Sequence, residues 1–514
     1  MKDIFKSIKI KDDIPIYKYF VDGEWQTTGS KKKITLLSPI DSSILGRIQS
    51  VSNKEINIAI MSASLAQPLW GSTKLEQRTA ILNKVAKLMK ENIDILSEKL
   101  ISEIGKPIKE AKDEIESSIK VIEDTIKETV WLKTETIKIK NEKCEIKRVP
   151  RGIIVCITPF NYPIYTSLTK IIPSLYTGNA VILKPSTLGS ISVLYLTELF
   201  NQAGLPSGVL NIITGSGENL GKYLVSHRLI NAISFTGSTK TAREITKRAG
   251  ITKLLLELGG KDAAIVLKDA DINKAAEEIA DGAFKFMGQR CIAIKRVIVD
   301  SSIKDKLLKK LKEIIHKKYK IVGDPHDPKT QIGPVISDNQ ADYIASLLKD
   351  ARRKGAKVVC GGGRLELCPM PIRFREKLLK IPQKVWQICR RKGRGRYFQT
   401  TILDNVKPNM KIAWEEQFGP ILPILNVKNE KEAINLANAS DYGLDVAIFS
   451  QSNKNALAVG EKIEVGQVFI NSRPKRSPDQ FPFTGVKDSG LDSEGIRYSL
   501  EAMTTLKTMR CLAK

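Results

Sequence analysis

Histidine is nearly absent from this chain: three in 514 residues, His227, His316 and His326, none of them inside a candidate motif. That argues against any catalytic device built on an imidazole base, whether Cys–His or Ser–His–Asp. The seven cysteines form no CxxC pair and no Cys/His cluster, which argues against a disulfide framework and a zinc site. No uninterrupted apolar run is long enough to span a bilayer. The opening MKDIFKSIKIKDDIP is charged throughout and lacks the apolar centre of a signal peptide, so the expectation is a cytoplasmic protein with no membrane contact. Acidic residues are outnumbered, 56 against 83 basic, for a net charge of +27. The excess is spread over mixed Lys/Glu helix faces such as KVAKLMKENIDILSEKL. It therefore reads as a solvated surface that favours anionic ligands, with no nucleic-acid partner expected.

What is present suits a soluble globular chain of two or three domains, with 42% hydrophobic and 27% charged residues. Residues 20–50 look extended. An apolar stripe at Ile81, Val85, Leu88, Leu96 and Leu100 predicts one amphipathic helix from Glu76 to Ile104, and a second is expected to run to about Leu132. TETIKIK and CEIKRV alternate around Asn141-Glu142, predicting an exposed β-hairpin that pairs with something outside its own domain. After Pro150 the short apolar runs GIIVCIT, NAVILK, VLNIIT, NAISFT and KLLLEL alternate with helical segments. AAIVL, RVIVD, AKVVCGG and VAIFS continue the rhythm, so the fold class is α/β, with two doubly wound parallel sheets in sequence.

Candidate chemistry collects at the ends of those runs, where open α/β sheets bind ligands. Asn161 sits in the proline-fenced PFNYP and can donate to an oxyanion. NAVILK ends at Lys184-Pro185, a cation suited to a cofactor ribose or phosphate. NAISFT runs into Gly237-Ser238-Thr239 and a helix, a small-residue turn suited to a pyrophosphate. KLLLEL ends at Glu257; a carboxylate closing an apolar strand has a raised pKa and can act as a base. GQRC places Cys291 directly after Arg290, and a neighbouring cation favours the thiolate.

In their order, PFNYP, LKPS, FTGST, LELGGK, GQRC and EEQFGP resemble the aldehyde dehydrogenase superfamily over nearly the whole chain. Within it, MGQRCIAIKRV, SRPKRSPDQFPFTG and EAMTTLKT resemble the non-phosphorylating glyceraldehyde-3-phosphate dehydrogenases. The resemblance implies an aldehyde dehydrogenase-like fold plus a β oligomerisation extension. Residues 1–130 and 150–257 would bind a nicotinamide cofactor, 258–470 would be catalytic, and 131–149 with 471–514 would join subunits into a dimer or tetramer. It makes Cys291 the nucleophile, Asn161 with the Cys291 backbone amide the oxyanion hole, and Glu257 the residue that activates the deacylating water. Lys184 and Glu416 would hold cofactor ribose and adenine-side groups, Gly237 and Ser238 the pyrophosphate, and Phe418 would pack near the nicotinamide. Arg290, Tyr162 and Arg476 match positions that bind a substrate phosphate. Ser186 and Thr187 follow Lys184. Thr187 stands where many NAD-preferring relatives carry a glutamate, so NADP is the expected cofactor, with NAD possible.

The implied reaction is oxidation of glyceraldehyde 3-phosphate to 3-phosphoglycerate through a cysteine thioester, without inorganic phosphate, a step belonging to glycolysis. Three departures stand out: Ala242 where a second glycine is common, Ser117 where a phosphate-binding arginine is expected, and the basic stretch 367–396, read as an insertion. Succinic semialdehyde, lactaldehyde and glyceraldehyde remain alternative substrates. A more distant alternative is an anionic-partner binding protein on this scaffold.

Overall fold

The computed structural model describes residues 6–7, 14–30, 32–129, 132–365 and 395–512. Its first large sheet has eight strands, in the order Gly490–Leu491, Lys253–Glu257, Ile230–Thr236, Ile153–Ile157, Ala180–Lys184, Leu210–Ile212, Tyr19–Val21, Glu24–Gln26. The five central strands are parallel, and antiparallel neighbours close both sides. These are the apolar runs singled out above. Ala180–Lys184 is buried at every position, as strands covered on both faces must be. Ile153–Ile157 has the next strand in sequence on one side and Ile230–Thr236 on the other. Chain order reverses there, and a crevice opens beyond the carboxyl ends.

The second sheet has seven strands: Lys357–Cys360, Thr401–Asp404, Ile421–Val427, Arg296–Asp300, Ala263–Val266, Asp445–Phe449 and Gln467–Ile470. All pair in parallel except Lys357–Cys360 at one edge. The helix Pro163–Tyr176 is buried along its whole length. Pro163 opens it, where the missing N–H has no intrahelical acceptor to lose. The free amides of Ile164 and Tyr165 both donate to Glu114 at 3.1 Å. Glu114 in turn is paired with Lys106, both fully buried.

Several expectations need correction. The stripe from Glu76 to Ile104 is two helices, Leu75–Glu91 and Ile93–Ile104, interrupted at Asn92. The Asn92 side chain donates to the Leu88 carbonyl at 2.8 Å, competing with the backbone ladder. The following helix ends at Thr125, short of Leu132, where its buried stripe of Ala111, Ile115, Ile119 and Ile122 runs out. The hairpin Glu135–Ile139 and Glu142–Pro150 forms as expected, but its third strand is the chain's own Thr504–Leu512. Of 471–514, only that last strand joins the three-stranded sheet. Gly490–Leu491 caps the first large sheet, and Ile496–Ala502 buries Ile496 and Leu500 in the core. The stretch 367–396 lies, except for its last two residues, outside the described residues. Among the described residues no helix is long and apolar enough to cross a membrane.

Candidate active site

A cavity of about 780 Å³ lies where the carboxyl ends of the first sheet face the loops that enter the second. Each strand end of the first sheet delivers its residue to it: Asn161, Lys184 to Thr187, Gly237 with Ser238, and Glu257 all line the wall. The second half contributes Arg290, Cys291, Glu416 and Phe418 from segments that precede strands, and Arg476 from one that follows. Tyr162, next to Asn161, completes the set. All the site residues read from the sequence therefore meet in one place, although they span more than 300 positions of chain.

The segment carrying Cys291 is held under strain. Phe286 and Met287 adopt φ of 47° and 53°, a left-handed region that bulky side chains avoid, and both are buried. Gly288 continues at φ 68°, where a Cβ would come within 2.7 Å of the Gly419 carbonyl. Asn161 Nδ2 donates to the Gln289 carbonyl at 3.0 Å, tying the expected oxyanion donor to the loop that carries Cys291. From below, buried Lys295 donates to the Cys291 carbonyl and pairs with Asp262 at 3.5 Å and Glu416 at 3.3 Å. Lys295 thus holds the Cys291 backbone, a contact that sequence reasoning did not assign; its one signal was a lysine inside the buried run IAIKRV. Burial and then the Glu257 charge push the Cys291 thiol up to about 12.

The expected source of that activation is corrected. The Arg290 guanidinium turns away and donates to the carbonyls of Asp281 at 3.3 Å and Gly282 at 2.5 Å, so adjacency in sequence does not make it the thiol's counterion. Arg476 is also placed differently from expectation. Its Nη1 lies 3.1 and 3.0 Å from the two Glu257 oxygens and its Nη2 lies 2.6 Å from Glu494. Glu494 is paired with Lys170, which donates to Ser234 at 3.1 Å. Lys170 and Glu494 were missed: a lysine in the apolar helix IYTSLTKIIPSLY was a signal, but nothing in sequence paired it with position 494. Burial raises Glu257 to about 7, with Arg476 opposing the rise. A carboxylate poised near neutrality is suited to general-base work.

The other end of the cavity fits a dinucleotide. Lys184 is buried, and its only partner among the described residues is the Pro185 carbonyl at 3.0 Å, leaving ammonium hydrogens for a ligand. Burial lowers it to about 8. Thr187 and Ser186 flank it, and Ser238 caps the helix Thr239–Thr246 behind Gly237. Glu416 accepts from the Gly260 amide at 3.1 Å, and a Cβ on Gly259 would lie 2.4 Å from its other oxygen. Phe418, at φ 44°, meets Phe160 edge-on with centroids 6.0 Å apart.

A doubly wound sheet with a cysteine and a carboxylate beside a cleft suited to a dinucleotide is the arrangement of a dinucleotide-dependent enzyme. The Aldehyde dehydrogenase family profile matches residues 25–369 and 381–509. The chain belongs to that family, enzymes that oxidise aldehydes with NAD(P). It is 39% identical to the NADP-dependent glyceraldehyde-3-phosphate dehydrogenase of Streptococcus equinus, over 96% of this chain and 98% of that one. It is 35% identical to the lactaldehyde dehydrogenase of Methanocaldococcus jannaschii, covering 95% and 99%. The crystal structure of the NADP-dependent glyceraldehyde-3-phosphate dehydrogenase from Bacillus halodurans C-125 complexed with NADP superposes with a TM-score of 0.89 at 37% identity, covering 97% and 99%.

Proposed function

We propose that this chain oxidises glyceraldehyde 3-phosphate to 3-phosphoglycerate with NADP, through a thioester on Cys291 that water hydrolyses, using no inorganic phosphate. The observation that carries the reading is one continuous cavity. Its wall carries Lys184 and Thr187, then Cys291, Asn161 and Glu257, and also the cations Lys285, Arg290, Arg473, Lys475 and Arg476. Cys291 Sγ adds to the aldehyde carbon once its proton has left. The new oxyanion is met by the Asn161 amide, which its bond to the Gln289 carbonyl holds in place with one hydrogen to spare, and by the Cys291 backbone N–H. A nicotinamide cofactor held by Lys184, Thr187, Gly237, Ser238 and Glu416 would supply the hydride acceptor that this oxidation needs. Glu257, in its ionised form, draws a proton from the water that attacks the thioester, and the acid leaves with Cys291 restored. Thr187, whose hydroxyl donates to the Gly215 carbonyl at 3.3 Å, can turn that hydrogen to a 2′-phosphate where a glutamate would repel it, and Lys184 adds charge. The enzyme acts in the cytoplasm as a homo-oligomer, dimer or tetramer, built through the sheet of Glu135–Ile139, Glu142–Pro150 and Thr504–Leu512. Ile137, Ile139, Leu506 and Met509 stand exposed on that sheet.

A second reading, an unphosphorylated hydroxyaldehyde such as lactaldehyde, draws support from Glu110, Asp113 and Ser117 on the cavity wall, where acid repels an anion. A steady-state screen of aldehydes with both cofactors, followed by absorbance of the reduced cofactor, separates them. A specificity constant for glyceraldehyde 3-phosphate well above that for glyceraldehyde and lactaldehyde is expected. Equal constants would return the chain to general aldehyde oxidation.

A further inference from the structure

We infer that Lys295 is a positioning residue whose buried charge favours the Cys291 thiolate, the part that sequence adjacency gave to Arg290. The inference rests on Cys291 being the nucleophile of the proposed function, and it adds the cation that acts on that thiol.

Lys295 lies four residues beyond Cys291 and is 1% exposed. Its ammonium donates to the Cys291 carbonyl and, at 3.3 Å, to the Ala293 carbonyl. Charge and thiol are thereby held together on one short stretch of backbone. The lysine's own main chain is anchored as well. Its carbonyl accepts from Gln417 Nε2 at 2.8 Å, and Gln417 Oε1 accepts from Lys261 at 2.5 Å. Arg290, by contrast, sends its Nη2 to the Asp281 and Gly282 carbonyls.

A buried ammonium keeps its charge only when it is paired. Carboxyls surround this one from three elements. Asp262, just before the strand Ala263–Val266, lies 3.5 Å away, and Glu416 lies 3.3 Å away. Asp445 opens the neighbouring strand; its amide donates to Asp262 Oδ1 at 3.2 Å, and its Oδ1 accepts from Gln467 at 3.0 Å. No hydrogen bond reaches the buried Oδ2 of either aspartate. Two carboxyls this close do not both ionise in a dry site. Burial pushes Asp262 up to about 6 and Asp445 well above the usual carboxylate range, so Asp445 holds a proton near neutral pH. Burial works against the Lys295 ammonium, but Asp262 and then Glu416 outweigh it and hold it above the usual lysine range. Lys261, Arg296 and the Tyr442 phenol also face this cluster. At the thiol, burial and Glu257 raise the pKa, Lys295 acts in the opposite direction, and Asp262 and Asp445 oppose Lys295.

The test is the rate at which iodoacetamide alkylates Cys291 in the full-length enzyme, read by mass spectrometry of the Cys291 peptide from about pH 6.5 to 9.5, since only the thiolate reacts. Asp262→Asn removes a negative charge near the thiol and leaves Lys295 its bond to the Cys291 carbonyl, so alkylation should be faster than in wild type at every pH. Adding Lys295→Met removes both members of the buried pair, which is milder for folding than removing one. Alkylation should then be about three- to tenfold slower than with Asp262→Asn alone, as expected when an opposite charge that shifts the thiol by about one pH unit is lost. Asp262→Asn with Lys295→Arg should stay fast. Calorimetry of NADP binding verifies that each variant is folded. Equal rates with and without the lysine overturn the inference, as does a faster rate without it. A slower rate for Asp262→Asn than for wild type also overturns it, because disturbed packing and not charge would then set the reactivity. Wild type fully alkylated at Cys291 should have lost aldehyde oxidation. If oxidation survives, the thioester reading falls and the inference falls with it. If oxidation is lost while the lysine makes no difference to the rates, the inference fails alone.

Discussion

Replacing Arg476 with methionine should shift the pH dependence of thioester hydrolysis, and the size of the shift follows from the buried network. Arg476 contacts both oxygens of Glu257 at 3.1 and 3.0 Å and opposes the burial that raises that carboxyl to about 7. An opposite charge this close lowers a carboxyl by about one to three pH units, and sharing with Glu494 and Asp479 argues for the lower part, about one to two. The sign is fixed by which form works: the ionised base activates water, so losing the arginine moves the active form to higher pH. With a midpoint near 7, about three quarters of Glu257 is ionised at pH 7.5. A midpoint of 8 to 9 leaves about a quarter to a few per cent, so the steady-state rate at pH 7.5 should fall about three- to twenty-five-fold and largely recover near pH 9.5. The assay is the steady-state rate of saturating unphosphorylated glyceraldehyde across pH, which removes any effect on phosphate binding, with Arg476→Lys as a partial rescue. An unchanged midpoint, or a loss that alkaline pH does not recover, would refute the assignment of Arg476 as the counterion that tunes the base.

Cys291→Ala should abolish aldehyde oxidation while NADP binding, read by calorimetry, stays near wild type; turnover above a few per cent contradicts its role as nucleophile. Glu257→Gln should still release about one reduced cofactor per active site in a rapid burst and then stall, since covalent capture and hydrolysis are separate steps. A vanished burst places Glu257 earlier in the reaction. Thr187→Glu should lower the specificity constant for NADP by about tenfold or more through like-charge repulsion while affecting NAD less, so a parallel loss for both cofactors counts against a 2′-phosphate at Thr187. Ile139→Asp combined with Leu506→Asp should shift light scattering to a smaller species, because an exposed strand edge with apolar side chains is suited to pairing. An unchanged mass would mean that subunits meet elsewhere.

The sequence by itself determined the two parallel sheets. Runs such as NAVILK and RVIVD carry an unbroken apolar centre because both faces are covered, and that pattern is local. It also determined which residues meet: motifs at strand ends converge in any doubly wound sheet, and Asn161, Lys184, Gly237 and Glu257 do so here. The bend at Asn92 and the fate of the final strand were not legible. The first depends on one side chain bonding a carbonyl, the second on a pairing more than 350 residues away in sequence. Above all, the direction of a charged side chain belongs to tertiary structure. Arg290 adjoins Cys291 in sequence yet bonds the carbonyls of Asp281 and Gly282, and Arg476 joins Glu257 across 219 positions. Long guanidinium side chains settle where buried acceptors await them, since an unpaired buried charge costs more than any local preference supplies. Lys295, beneath Cys291, and Lys170, beside Glu494, acquire their meaning only once the sheets bring their partners together.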